Sequence, residues 1–158
     1  MKRNSVCWNI TSRCNENCRF CYRIMCTKEN TYEQNDRILD LLIELKIDKI
    51  TWTGGEALLY PHLFDLMKKA HYNNIKNNII TNGKLLNPNI IDEIEEYTDH
   101  ITLSLDSLDD NVNDCLGRGI EHSKHILELM EYLKNKDIIL KLNSVVTKQN
   151  VNNINEIA

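Results

Sequence analysis

The stretch CNENCRFC, residues 14–21, directly follows a strand-like run from Val6 to Thr11 and contains three of the six cysteines of the chain. Its spacing is C-x3-C-x2-C. Three thiolates on one loop can hold three corners of a cubane iron–sulfur cluster. The fourth iron then has no protein ligand and can bind another molecule, much as a catalytic zinc keeps an open position. A zinc knuckle completed by Cys26 or a histidine, or plain buried cysteines, are the alternatives that the spacing leaves open.

Strand-like and helical segments alternate from this loop onward. A capping box at Thr31 begins the first helix, with Gln34 at its third position. Asn87 and Pro88 form an N-cap and first turn. Strands after the first are predicted at residues 49–53, 76–81, 101–106 and 138–146, with helices between them and a last helix beginning near Asn150. Strands that alternate with helices predict right-handed crossovers and a parallel sheet, and therefore an α/β fold.

The alternation within several strands places polar residues on one face of this sheet. Residues that share this face are Cys7, Asn9 and Thr11; Thr51 and Thr53; Thr102, Ser104 and Asp106; and Lys141 and Asn143. A closed eight-stranded barrel would fill its interior with bulky aliphatic residues. A sheet with one solvated face is the alternative, although it is rare among parallel sheets. We expect a polar lumen that holds a ligand.

The composition excludes several classes of protein. The 158 residues carry 19 Lys and Arg and 23 Asp and Glu, a net charge of −4, with 42% hydrophobic residues, which is typical of a globular domain. This acidic balance disfavours a nucleic-acid-binding surface. We expect no membrane span, since no run of eighteen apolar residues occurs. With no signal-peptide core, clustered cysteines favour metal or redox chemistry in a reducing, cytoplasmic setting.

The cysteine motif, placed after the first strand and followed by the aromatic Tyr22, resembles that of the radical S-adenosylmethionine (radical SAM) enzymes. The resemblance implies a partial (β/α) barrel, with five of the usual six βα strands, and a single core domain over residues 1–158 that is incomplete at its C-terminus. It also implies a 4Fe-4S cluster on Cys14, Cys18 and Cys21, with S-adenosyl-L-methionine as the cofactor. In that superfamily, one-electron reduction by a donor such as flavodoxin or ferredoxin cleaves the cofactor to a 5′-deoxyadenosyl radical.

Further motifs of that superfamily follow the next strands in order. Gly54, Gly55 and Glu56 match a turn that binds the methionine amino group of the cofactor, and the two glycines allow the backbone to approach that group closely. The residue after this motif is usually proline in the superfamily and is Ala57 here. Asn82 ends the third strand, and Ser104 on the fourth resembles a polar residue near the cofactor. By the same resemblance Tyr22 belongs to the cofactor site.

Motifs in the second half of the chain resemble, within that superfamily, those of viperin and its prokaryotic relatives. The resemblance rests on SLDSLDDNVN at 104–113, LGRG at 116–119, KLNSVV at 141–146 and Asn150-Val151. Those enzymes convert CTP or another nucleoside triphosphate to its 3′-deoxy-3′,4′-didehydro form in antiviral defence. The resemblance implies that Arg118 contacts the cofactor, while Lys141 and Asn143 face the nucleotide.

The residues alone leave other interpretations open. Lys141 could be an edge-strand lysine that discourages aggregation, and Arg118 could decorate a loop. The chain could also belong to a radical enzyme acting on a peptide or small molecule, or be a silent metal-binding remnant. Most of the five histidines are expected at the surface, and the pair at 109–110 is expected to start a helix. We expect little nucleotide turnover and poor solubility from five strands alone.

Overall fold

The computed structural model describes residues 4–23 and 28–157. This part of the chain contains five strands and five α-helices, with one helix between successive strands up to β4 and two helices between β4 and β5. The strands are β1 (Ser5–Thr11), β2 (Lys49–Gly54), β3 (Lys76–Thr81), β4 (His100–Ser104) and β5 (Ile139–Asn143). The helices are α1 (Tyr32–Glu44), α2 (Leu63–Tyr72), α3 (Pro88–Ile94), α4 (Asp110–Leu116) and α5 (His122–Leu133), with single 3-10 turns at Ala57–Leu59, Glu95–Tyr97 and Ile154–Glu156.

All five strands run parallel in one sheet of order β1-β2-β3-β4-β5. Within the described residues the sheet is open, with β1 and β5 at its edges. The α/β class and the partial (β/α) barrel predicted from the sequence are therefore confirmed. Parallel order brings the carboxyl ends of all five strands to one edge, and the loops that carry the cysteine motif and the turn at 54–56 follow the ends of β1 and β2.

The apolar core lies on one side of the sheet, under the helices. Leu39 of α1, Met67 of α2, Ile91 of α3 and Ile126 of α5 are fully buried there. They pack with the helix-facing side chains of the central strands, which are Ile50, Trp52, Ile79, Ile101 and Leu103. This apolar burial accounts for the alternation read from the sequence.

The opposite face of the sheet is polar, as the alternation predicts. The side chain of Asn78 donates to Thr51 Oγ1 at 3.3 Å and accepts from Thr102 Oγ1 at 3.1 Å. Lys141 of β5 pairs in register with Thr102, and Asn143 pairs with Ser104. A continuous polar row therefore crosses β2, β3 and β4 and reaches β5.

Two expectations for the last fifth of the chain are wrong. Strand β5 ends at Asn143 instead of continuing to Val146, because the amide of Val145 turns to the Asp106 carboxylate at 2.8 Å. No α-helix begins near Asn150 within the described residues. The Asn150 side chain is buried and binds Thr147 N at 2.7 Å, Asp106 O at 2.8 Å and Val145 O at 2.9 Å, so it closes a turn.

The start of α4 agrees with the sequence. Asp109 is its N-cap and accepts from the amides of Asn111 and Val112 at 2.7 and 3.3 Å. The predicted capping box at Thr31 also forms. No helix formed by the described residues is both long and apolar enough to cross a membrane.

Asn77, at the helix-facing side of β3, is a buried polar hub that the sequence pattern does not reveal. Its side chain accepts from Trp52 Nε1 at 2.8 Å and donates to Met67 O at 2.9 Å and Tyr97 O at 2.8 Å. The residue is 0% exposed. It therefore joins β2, α2 and the 3-10 turn before β4 through one amide.

We predict that Asn77→Leu lowers the free energy of unfolding by about 3 kcal/mol, because it leaves the Trp52 indole N–H and two carbonyl groups buried without this partner. Urea denaturation followed by far-UV circular dichroism measures the change. The matched control is Asn89→Ala, at an exposed asparagine in α3, which should change stability by no more than about 0.5 kcal/mol. Equal stability of the two variants would contradict a stabilising role for the buried side-chain amide of Asn77.

Candidate functional site

The cysteine loop lies against the carboxyl ends of the strands. Cys14, Cys18 and Cys21 all line one cavity of about 140 Å³. The same cavity is lined by Gly54, Gly55, Glu56, Asn82, Ser104 and Arg118. Residues that lie far apart in the sequence and that were each predicted for a cluster or cofactor site therefore share one cavity.

The glycine pair fixes the position of the cysteine loop. The amide of Gly55 donates to Thr11 O at 2.8 Å, and the amide of Glu56 donates to Arg13 O at 2.8 Å. A Cβ atom at Gly54 would collide with the carbonyl oxygen of Thr11, and one at Gly55 with that of Arg13. Glycine is required at both positions because the backbone after β2 lies directly on the backbone after β1. The expected approach of these glycines to the methionine amino group stays a prediction.

Glu56 is a buried carboxylate at the side of the cavity. It is 1% exposed and accepts hydrogen bonds from Asn82 N and Thr81 Oγ1, both at 2.8 Å, and from Leu58 N at 3.1 Å. Burial raises the pKa of Glu56 above its ordinary value, although the three hydrogen bonds oppose that shift. A bound cation beside this carboxylate would favour its ionised form.

Asn82 and Ser104 also line the cavity, at the ends of β3 and β4. The Asn82 side chain donates to Asn15 Oδ1 at 2.7 Å and lies 3.8 Å from Cys14 Sγ, so the end of β3 contacts the cysteine loop directly. Ser104, at the end of β4, is half-buried, and its carbonyl oxygen lies 2.9 Å from His122 Nε2.

Arg118 bridges two buried carboxylates. Its Nη1 lies 2.6 Å from Glu16 Oε2, within the cysteine motif, and its Nε lies 2.7 Å from Asp106 Oδ2, just after β4. Both carboxylate side chains are 0% exposed, and the guanidinium also lies over the ring of Phe20 at 5.5 Å. Arg118 is therefore no loop decoration: it lines the cavity and is held there by two ion pairs.

Sequence reasoning missed Glu16 as a site residue. The only signal in the sequence was an acidic residue between two cysteines. An acidic residue on a short loop ordinarily lies in solvent, so this signal did not indicate a buried site residue. Most histidines were expected at the surface, and His122 is an exception. That residue is 3% exposed, and burial lowers the pKa of its imidazole.

Three predicted residues do not line the cavity among the described residues. The side chain of Tyr22 is 97% exposed. Lys141 and Asn143 are exposed on β5, on the polar face of the sheet but away from the cysteines. Cys26 lies outside the described residues, so its place relative to the other cysteines stays a prediction.

The chemistry of the three cysteines fits an iron–sulfur cluster, because thiolates are the ligands that hold such clusters. Among residues 4–23 and 28–157, no three Cys, His, Asp or Glu side chains converge to hold one metal ion. In a cubane, each thiolate binds a different iron. Burial and the neighbouring Glu16 raise the pKa of the Cys18 thiol to about 12, against the opposing effect of Arg118; in the metal-free chain this thiol keeps its proton.

The comparison with known families agrees with this geometry. Residues 8–158 match the sequence profile of the Radical SAM superfamily. The chain therefore belongs to the radical SAM superfamily, as its cysteine motif and the turn at 54–56 predict.

Similar curated proteins include two named S-adenosylmethionine-dependent nucleotide dehydratase. The one from Flammeovirga pacifica is 33% identical over 160 residues, which cover 94% of this chain and 55% of that protein. The one from Thermoplasmatales archaeon (strain ISO4-H5) is 30% identical over 144 residues, covering 89% of this chain and 52% of that protein. The chain thus spans about half the length of these relatives.

Solved structures share the fold. Streptococcus suis SuiB bound to S-adenosylmethionine superposes with a TM-score of 0.82 at 22% identity, over 98% of this chain and 37% of that one. Native anSMEcpe with bound AdoMet gives a TM-score of 0.77 at 18% identity, over 99% of this chain and 47% of that one. At these identities the similarity confirms the open α/β sheet.

We predict that Arg118→Met lowers the free energy of unfolding by about 3–5 kcal/mol, because Glu16 and Asp106 are left as buried carboxylates without their cation. Arg118→Lys should lose nearly as much, since one ammonium cannot reproduce the two directed contacts of the guanidinium. Thermal and urea denaturation of the metal-free protein measure both.

The matched control is Arg19→Met, at an exposed arginine of the same cysteine loop. Its stability should stay within about 0.5 kcal/mol of the parent chain. An Arg118→Met variant as stable as Arg19→Met would show that the two buried carboxylates do not depend on the guanidinium.

Proposed function

We propose that this chain forms the cluster- and cofactor-binding part of a radical SAM nucleotide dehydratase. The proposed reaction converts CTP or another nucleoside triphosphate to its 3′-deoxy-3′,4′-didehydro form and serves antiviral defence. The observation that carries the proposal is the single cavity lined by the three motif cysteines, the turn at 54–56, Asn82, Ser104 and Arg118. The names of the similar nucleotide dehydratases support the choice of substrate class.

The cysteines and the turn at 54–56 have separate roles in this proposal. The thiolates of Cys14, Cys18 and Cys21 hold a 4Fe-4S cluster and leave one iron free for S-adenosyl-L-methionine. The buried carboxylate of Glu56 accepts the ammonium group of that cofactor, and Asn82 and Ser104 supply polar contacts beside it. When bound, the cluster and the cofactor supply one-electron chemistry that the side chains of the chain cannot perform.

Lys141 and Asn143 are proposed to face the nucleotide. Both side chains are exposed on the polar face of the sheet, in register with Thr102 and Ser104 of β4. None of the ion pairs among the described residues involves Lys141, so its ammonium group is available to an anionic ligand.

The protein partners follow from the same proposal. An electron donor such as flavodoxin or ferredoxin would reduce the cluster in a reducing cytoplasm, since exposed clusters of this kind are labile in oxygen. Cys21 is the exposed member of the three cysteines, so the cluster would lie close to the surface from which an electron arrives.

The cluster is tested by anaerobic reconstitution with iron and sulfide. We expect a brown protein with about four irons per chain, and loss of the iron when Cys14, Cys18 or Cys21 is replaced by Ala. Cys7→Ala and Cys115→Ala are the matched controls and should keep it. Metal analysis and visible absorption measure both.

Two results would contradict this cluster. Stoichiometric zinc without visible absorption would favour a zinc site. Iron loss in Cys26→Ala as complete as in Cys18→Ala would mean four protein ligands, with no iron left open for the cofactor.

The substrate class is tested by release of 5′-deoxyadenosine in a longer relative that carries these motifs, including the lysine equivalent to Lys141. CTP or another nucleoside triphosphate should accelerate the release, and Lys141→Ala should weaken nucleotide binding by about 1.5–3 kcal/mol by removing a charge-assisted contact. The control is Lys148→Ala, at an exposed lysine beyond β5. Stimulation by a peptide and indifference to every nucleotide would instead favour a peptide-modifying enzyme.

A further inference from the structure

Glu16 is the buried side chain in the centre of the cysteine motif. Its neighbours Asn15 and Asn17 are exposed, whereas the Glu16 side chain is 0% exposed. A short loop could leave a carboxylate in water at little free-energy cost, and burying one is unfavourable unless it is paired. The inward orientation of Glu16 therefore requires partners.

Those partners come from two segments outside the cysteine loop. Arg118 Nη1 lies 2.6 Å from Glu16 Oε2, and Lys84 Nζ lies 3.4 Å from Glu16 Oε1. His122 Nδ1 also lies near Oε1, at 3.8 Å, which is beyond hydrogen-bonding distance. Lys84 follows β3, and Arg118 and His122 lie between β4 and the start of α5. One carboxylate thus ties the loop after β1 to the loops after two other strands.

The same residue contacts two of the three thiols. The amide of Glu16 lies 3.4 Å from Cys14 Sγ, and Cys18 Sγ lies 3.4 Å from Glu16 Oε2. On the far side, Arg118 is also held by Asp106 at 2.7 Å, so the guanidinium has one ion-pair partner outside the cysteine loop. The ion pair between Glu16 and Arg118 therefore connects the cysteine loop, with its sulfur atoms, to the end of β4.

We propose that Glu16 is a positioning residue: paired with Arg118, it holds Cys14 and Cys18 in a ligand-ready arrangement before any iron binds. A second consequence rests on the proposed function. Once a cluster is bound, the Glu16 carboxylate places a negative charge beside it and lowers its reduction potential, because nearby negative charge favours the oxidised form.

The first consequence is tested on the metal-free chain, so that it does not depend on cluster binding. Each cysteine is alkylated with iodoacetamide and its labelling rate is measured by peptide mass spectrometry. In Glu16→Gln, which keeps the shape and removes the charge, we expect the labelling rate per thiolate, obtained from the pH dependence of each rate, to rise about tenfold at Cys14 and Cys18, equivalent to about 1.4 kcal/mol. Cys7, on exposed β1, should react at the rate of the parent chain.

The controls separate loop positioning from general unfolding. Asn17→Ala changes an exposed side chain of the same loop and should leave every rate unchanged. Lys84→Met removes only the partly exposed second cation and should give a smaller acceleration at the same two cysteines. If Glu16→Gln fails to fold by circular dichroism, Lys84→Met carries the test, and parent rates in that variant overturn the proposal.

The reduction potential gives a readout that a purely structural role would not change. After reconstitution, an electron paramagnetic resonance titration of Glu16→Gln should show a more positive midpoint than Asn17→Ala. Parent labelling rates in folded Glu16→Gln would overturn the positioning role, and an unchanged midpoint would overturn the electrostatic one. Failure of both variants to bind iron, with Cys14 and Cys18 still labelled faster in Glu16→Gln, would reject the proposed function and keep the positioning role.

Discussion

The site depends on direct contact between two stretches of backbone. Residues 11–13 leave β1 and lie on residues 54–56, which leave β2, joined by two amide hydrogen bonds of 2.8 Å. Only glycine at positions 54 and 55 permits this approach. Since the cysteine loop begins at residue 14, its position relative to Glu56 is set by backbone geometry and does not rely on flexible side chains.

Local sequence patterns predict the parts of the fold that depend on local physics. The alternation of strands and helices, the capping box at Thr31 and the cap at Asp109 each follow from spacing within a few residues. The polar face of the sheet follows from the two-residue repeat along each strand. The cysteines and the turn at 54–56 could be assigned to one site because the carboxyl ends of parallel strands lie on one edge.

Residues whose partners are distant in sequence could not be predicted in this way. Glu16 meets Arg118 across 102 positions, and Asn77 reaches Trp52 across 25. The sequence around Asn150 resembles a helix start, but the side-chain amide of Asn150 donates instead to the carbonyl oxygens of Asp106 and Val145. In each case a buried polar group takes its partner from tertiary structure, which sequence periodicity does not encode.

The hydrogen-bonded row of Thr51, Asn78 and Thr102 on the polar face of the sheet has a consequence for how that face would select among ligands. A molecule that settles on this face meets side chains whose donors and acceptors are paired with one another, two of which, Asn78 and Thr102, are buried. Discrimination by such a surface depends on matching donors and acceptors. An analogue lacking a single hydroxyl is then rejected far more strongly than one lacking a methylene group, because the loss leaves a polar group of the protein without a partner.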